Sequence, residues 1–211
     1  MASDAAVLTG DLIASTQAGQ AATDRAMALI ESVAKAESLH DATDIRFTRF
    51  RGDGWQIHCS EPAKVFRLAV LVLATLQSRP ELPKTRISAA TGPVTFLPET
   101  GLASASGEVF SISGRNLDSM ARRRLVFESQ ESAKPWKNAL FVYLDWQSGR
   151  WSPEQAEAIA LTFRHDPPQP GTSAEQLGIS RQAFSARLEG AGYVPVWEAE
   201  RAFRAKPETK P

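Results

Sequence analysis

Asp11 and Asp53 each stand where the chain should turn. Asp53 lies in Gly52-Asp53-Gly54, between two short runs rich in β-formers, the pattern of a hairpin tip. Asp11 ends the run Ala5-Ala6-Val7-Leu8-Thr9-Gly10 and precedes Ser15 and Thr16, as expected of a strand's exit into a phosphate-facing turn. In one sheet the two tips converge on a point. Two carboxylates there repel unless a divalent cation lies between them, so the pair points to Mg²⁺ (or Mn²⁺) and a nucleoside triphosphate. Gly-Asp-Gly alone is an ordinary hairpin turn, with glycine at positive φ and Asp bonding its own backbone.

The elements that must position these residues follow from periodicity. Residues 5–13 read as a strand and 18–39 as a helix, with Ala22, Ala26, Leu29, Ile30 and Val33 at helical spacing. Strands at 44–51 and 55–60 flank the turn. In the second, Trp55, Ile57 and Cys59 alternate with Gln56 and His58, which predicts one buried face and one facing a cleft or solvent. Pro62 suits the first turn of a helix over 62–78, and a strand over 85–91 ends at Gly92-Pro93. A loop covers 98–107, Ser113 caps a helix through 124, and a strand restarts at 125–127. Strands alternate with helices and the hairpin demands an antiparallel pair, which predicts an α/β sandwich with a mixed or antiparallel sheet.

A second, all-α unit starts near Trp151. Ser152-Pro153-Glu154 opens a helix running to Arg164, which stops before residues 166–171. Thr172 or Ser173 caps a short helix through Leu177, Gly178 turns the chain, and Ser180 caps another through 189, a helix-turn-helix pattern. This gives domains at 1–150 and 151–205, with a disordered tail at 206–211. Duplex DNA contact would fall to Arg181, Gln182, Ser185 and Arg187, with Arg181 and Arg187 outward, Ile179, Phe184 and Leu188 inward, and Ala183 close to the preceding helix. The alternative is a packing or dimerisation module. Residues 179–206 carry five basic and three acidic side chains, a small surplus for phosphate binding.

Composition narrows the classes. The chain of 211 residues balances 24 basic against 24 acidic side chains, so bulk charge selects no polyanion. The apolar run over 66–76 is interrupted by Arg67 and too short for a bilayer, and there is no secretory leader pattern. One cysteine, Cys59, excludes an internal disulfide and fits a reducing cytoplasm, and is expected to behave as a small buried apolar residue. His40, His58 and His165 show no zinc spacing; His58 is expected on a solvent-facing strand surface, and the five tryptophans as packing anchors.

Four segments carry a family resemblance. Asp11-Leu12-Ile13-Ala14-Ser15-Thr16 resembles the first metal-binding turn of class III nucleotidyl cyclases, and Arg51-Gly52-Asp53-Gly54 their second. Arg86-Ile87-Ser88-Ala89-Ala90-Thr91-Gly92-Pro93-Val94 is similar to the family's strand Arg-x-Gly-Ile-x-x-Gly-x-Val. Gly114-Arg115-Asn116-Leu117-Asp118-Ser119-Met120-Ala121-Arg122 resembles its helix Gly-x-x-Val-Asn-x-Ala-x-Arg. With the helix-turn-helix, the whole also resembles SatD-type proteins, whose hairpin reads Gly-Asp-Glu-Phe-Gln where this one reads Gly52-Asp53-Gly54-Trp55-Gln56.

The resemblance implies an α+β fold with a ferredoxin-like, cyclase-type sheet. It implies that Asp11 and Asp53 hold Mg²⁺ (or Mn²⁺) with the Leu12 carbonyl, while Ser15, Thr16 and the amides after Asp11 cradle the outer phosphates. The ribose 3′-hydroxyl would attack the α-phosphorus and pyrophosphate would leave, with Arg122 stabilising the α-phosphate across a head-to-tail homodimer. Asp118 replaces the family's ribose-orienting Asn; Arg49 and Ser111 stand at the base-reading positions, so the base is open. Asp118 and Arg122 could equally pair one turn apart on a helix, and Arg122 to Arg124 complement its dipole. Three activities remain: a cyclase, an inactive cyclase-fold regulator sensing a nucleotide, and an intermolecular nucleotidyltransferase.

Overall fold

A computed structural model describes residues 3–129, 135–164 and 170–205. The tail expected at 206–211, His165 and most of the 166–171 stop lie outside the described residues. The chain runs β1 (Asp4–Leu12), α1 (Ser15–Ala18), α2 (Gln20–Asp41), β2 (Ile45–Phe50), β3 (Gly54–Cys59), α3 (Val65–Gln77), β4 (Thr85–Pro93), α4 (Glu108–Ser119) and β5 (Leu125–Ser129). It continues through α5 (Pro135–Ser148), α6 (Pro153–Thr162), α7 (Pro170–Gln176), α8 (Arg181–Gly190) and α9 (Tyr193–Arg204).

The sheet order is β2-β3-β1-β4-β5. The first four strands are antiparallel and the connections β1-α2-β2-β3-α3-β4 make the ferredoxin-like split βαβ; β5 adds in parallel beside β4. β1 is central and has neighbours on both edges and both faces, so Ala5 to Leu8 read as a continuous apolar run instead of alternating. Ala6, Leu8, Ile57 and Ala89 face the core beneath α2 and α3. Ala5, Val7 and Ala90 face the other way, under Val109 and Ile112 of α4.

That second cover corrects two expectations. His58 is not at a solvent face: α4 lies over it, its ring stacks on Phe110, and only 2% of it is accessible. Ser113 does not cap a helix. α4 starts five residues earlier, behind Gly107 at φ 148°, where a Cβ would strike the Pro93 carbonyl at 2.7 Å. Ser113 instead sits mid-helix, its hydroxyl 2.8 Å from that of Thr9. Cys59 is buried as expected, and burial pushes its thiol up to about 12.

α3 is buried on nearly every side, eleven of its thirteen residues being inaccessible. A helix apolar all round needs cover all round. The sheet supplies one side, α2 a second, and α5, α6 and α9 the rest. Helices α5 and α9, unread in the sequence, bring Phe141 and Phe203 against Phe66 and Phe127, with ring centroids 4.5–5.9 Å apart. The core therefore runs without a break across the boundary expected at residue 150. No helix among the described residues is long and apolar enough to cross a membrane.

Candidate functional site

The β1 exit is fixed from beneath. Trp55, fully buried, lies against Gly10, where a Cβ would come within 2.4 Å of its ring. Its Nε1 donates to Thr85 Oγ1 at 3.0 Å, and Thr85 donates to the Asp11 carbonyl at 2.7 Å. Beside it, Asp11 pairs in register with Gly54, and the Leu12 N–H donates to the Asp53 carbonyl at 3.1 Å. The strand exit and the hairpin tip are thus adjoining. Arg51 at φ 50° and Gly52 at φ 82° turn the tip, and Ala14 at φ 55° turns the chain into α1. Two non-glycine residues in the left-handed region within one corner represent stored strain of the kind found at ligand sites.

The carboxylates have different partners. Asp53 accepts the Ser15 hydroxyl at 2.6 Å. Asp11 is gripped by both nitrogens of the Arg86 fork, Nε at 2.9 Å and a terminal nitrogen closer still. The Asp11 bond raises the pKa of Arg86 above its ordinary value, with Asp118 adding a further charge from α4. Arg86 had no assigned role in the sequence. The signal was available in the register: Arg86, Ser88 and Ala90 share the face of Asp11, Thr9 and Val7. A cavity of about 380 Å³ opens beside Asp53, lined by Ser15, Thr16, Thr23, Arg51 and Gly52.

Other expected residues are placed less favourably. Leu12 and Ile13 cannot offer their amides to phosphate, because the ladder continues past Asp11 and bonds them to the Asp53 and Lys84 carbonyls at 3.1 and 2.7 Å. Arg49 is held by Asp24 at 2.6 Å and by the Gly52 carbonyl at 2.6 Å. Ser111 is exposed on α4 and reaches only the Gly107 carbonyl. α4 ends at Ser119 and Ala121 adopts φ 52°, so Arg122 lies in the following turn and shares no helix with Asp118.

In the C-terminal helices, Ser180 caps α8 by accepting the Ala183 N–H at 3.1 Å, and Gly178 turns at φ 64°. Phe184 is buried, with Ile179 and Leu188 packed beside it. Arg181, Gln182 and Ser185 are exposed. Arg187 is not directed outward: it pairs with Glu157 of α6 at 3.3 Å. Ala183 is exposed and not pressed on α7, since Phe184 takes the inward position.

No protein-family model matches the chain, and no curated protein matches it. Among solved structures it is similar to a bacterial light-regulated adenylyl cyclase, at 16% identity over 60% of this chain and 76% of that one, TM-score 0.45. A second such adenylyl cyclase structure gives 15% identity over 60% and 43%, TM-score 0.44. The guanylyl cyclase Cya2 gives 15% over 56% and 73%, TM-score 0.40. At these scores and identities no activity transfers.

Proposed function

We propose that the chain binds a nucleoside triphosphate with Mg²⁺ or Mn²⁺ where β1 meets the β2–β3 tip, as a class III nucleotidyl cyclase-like domain. The supporting observation is the Leu12–Asp53 backbone bond, which sets two acidic tips side by side next to a hydroxyl-lined cavity. The donors suit a hard cation, because Asp11, Asp53 and the Leu12 carbonyl all present oxygen. Among the described residues no three His, Cys, Asp or Glu side chains gather, so phosphate and water would complete the shell, as Mg²⁺ prefers. Such a cation neutralises phosphate charge and acidifies the ribose 3′-hydroxyl.

The chain's own residues supply the rest of this reading. Ser15 and Thr16 donate to the outer phosphates and Asp118 accepts from the ribose. Arg122, exposed and free of ion pairs among the described residues, counters charge on the α-phosphate across a head-to-tail homodimer in the cytoplasm. Helices α7 and α8 would dock on duplex DNA through Arg181, Gln182 and Ser185. A second reading, a nucleotide sensor without turnover, is favoured by the Arg86 grip on Asp11 and by Arg49 being held on Asp24.

The test is a binding and product assay with each of the four triphosphates and Mg²⁺ or Mn²⁺. A cyclic nucleotide and pyrophosphate support the cyclase, saturable binding without product the sensor, and a joined dinucleotide the transferase. No metal-dependent binding of any triphosphate removes all three. Sedimentation with nucleotide and metal saturating should show a dimer; a strict monomer removes the cyclase.

A further inference from the structure

A cavity larger than the one beside Asp53 lies away from the acidic tips. A cleft of about 770 Å³ lies between α2, α3, α6 and the end of α7, and shares no lining residue with the cavity beside Asp53. Its volume is that of a small-molecule site, and such sites favour the seams between helices. Its apolar walls are aliphatic: Leu29 and Val33 from α2, Leu71 from α3, Leu161 from α6 and Leu177 beyond α7. No Phe, Tyr or Trp lines it and His40 supplies its one ring, so it lacks the broad stacking surface by which planar bases are held.

The charges at its rim decide the rest. Glu37 is committed to Arg67 at 2.8 Å, and Glu157 to both Arg79 at 3.6 Å and Arg187 at 3.3 Å. Both acids in the lining are therefore compensated by protein cations. Arg164 is exposed at the same rim and has no ion pair among the described residues. Among the described residues, the uncompensated charge facing the cleft is positive. We infer that this cleft is a binding site for an aliphatic carboxylate of medium chain length, its chain along the leucines and its carboxylate on Arg164.

The probe is decanoate, kept below its micelle concentration and titrated calorimetrically into the full chain, with decanol and decyltrimethylammonium as controls. Decanoate is expected to saturate one site and to bind more tightly than either control. Arg164→Gln should weaken decanoate roughly five- to tenfold, the scale of a rim ion pair with a hydrogen bond, and leave decanol unchanged. Ala36→Trp adds an indole at the exposed lip of the cleft, where it disturbs no core, and should abolish both. Circular dichroism checks that both variants fold. Absence of saturation, equal binding of the alkylammonium, or full binding by folded Ala36→Trp overturns the inference. None of these outcomes depends on whether the chain binds nucleotide.

Discussion

With Arg86 on Asp11, a cation entering the site meets one carboxylate already neutralised and another, Asp53, held only by a hydroxyl. The two acids should therefore respond differently. Asp53→Asn should weaken Mn²⁺ binding by roughly tenfold or more, since a ligand carboxylate is lost, and leave the fold intact because the tip is held by backbone bonds. Arg86→Gln should strengthen Mn²⁺ binding without nucleotide by several-fold, on the order of 1 kcal/mol, because the pair is about one-third exposed and screened. Electron paramagnetic titration of free Mn²⁺ reads both, and an unchanged affinity in Arg86→Gln shows that Arg86 does not compete with metal. His58 makes a separate prediction. Burial, partly opposed by Asp44, lowers its pKa below the ordinary value, and its Nδ1 has no partner. The unfolded chain then binds the proton more readily, so stability is full above about pH 6.5 and declines as pH falls below it. His58→Phe should flatten that decline in urea unfolding between about pH 5 and 7, and keep the stack on Phe110.

At the scale of elements, α8 offers the sharpest test of the helix-turn-helix. Arg181→Ala should reduce DNA affinity, by about 1–3 kcal/mol if it reads a base, or should flatten the salt slope by about one unit if it touches phosphate. Arg187→Ala should act through stability instead, by releasing Glu157, with little change in salt slope. Selection from random duplexes with no enrichment would leave α7 and α8 a packing module. Helices α7 and α8 and the turn between them were legible because their signals are local: Ser180 as cap, Gly178 as turn, Phe184 as inward anchor. The ferredoxin-like unit was legible for a similar reason, since period-two and period-3.6 runs alternate along residues 5–91. What failed depended on cover from elsewhere. His58 sits on the polar phase of its strand, and only α4 crossing the sheet buries it. The start of α4 was missed because Gly107 caps it without a side-chain bond, while Ser113 mimics a cap. The grip of Arg86 on Asp11 needed the β1–β4 register, which spacing alone does not supply.

At the scale of the whole molecule, the question is whether residues 1–150 form a domain that stands alone. Phe203 of α9 sits among Phe66, Phe127 and Phe141, and Ile159, Phe163 and Val196 join the same core. Polar ties cross the same seam: Arg67 donates to the Phe163 carbonyl, and Gln147 Nε2 to the Ala191 carbonyl at 2.8 Å. Glu200 is buried there without a hydrogen bond, Arg204 lying 3.3 Å away but misaligned, and burial raises its pKa. Its folded form favours the proton, so stability falls as pH rises through that raised value, and Glu200→Gln should remove the loss. Cutting the chain after Arg150 would expose α3 along the side that α6 and α9 cover. Each large apolar side chain stripped of its cover costs about 1.5–3 kcal/mol, and several are stripped at once. Net stabilities of domains are only about 5–15 kcal/mol, so the loss exceeds what the remainder can hold. The 1–150 fragment should therefore be insoluble or lack a cooperative transition, whereas the full chain should melt in one step. Coincident near- and far-ultraviolet dichroism melts of the full chain, set against the fragment, read this directly. A fragment that unfolds cooperatively with native-like near-ultraviolet signal would show the C-terminal helices to be an appendage, and any nucleotide-linked signal reaching α8 would then need a route other than this shared core.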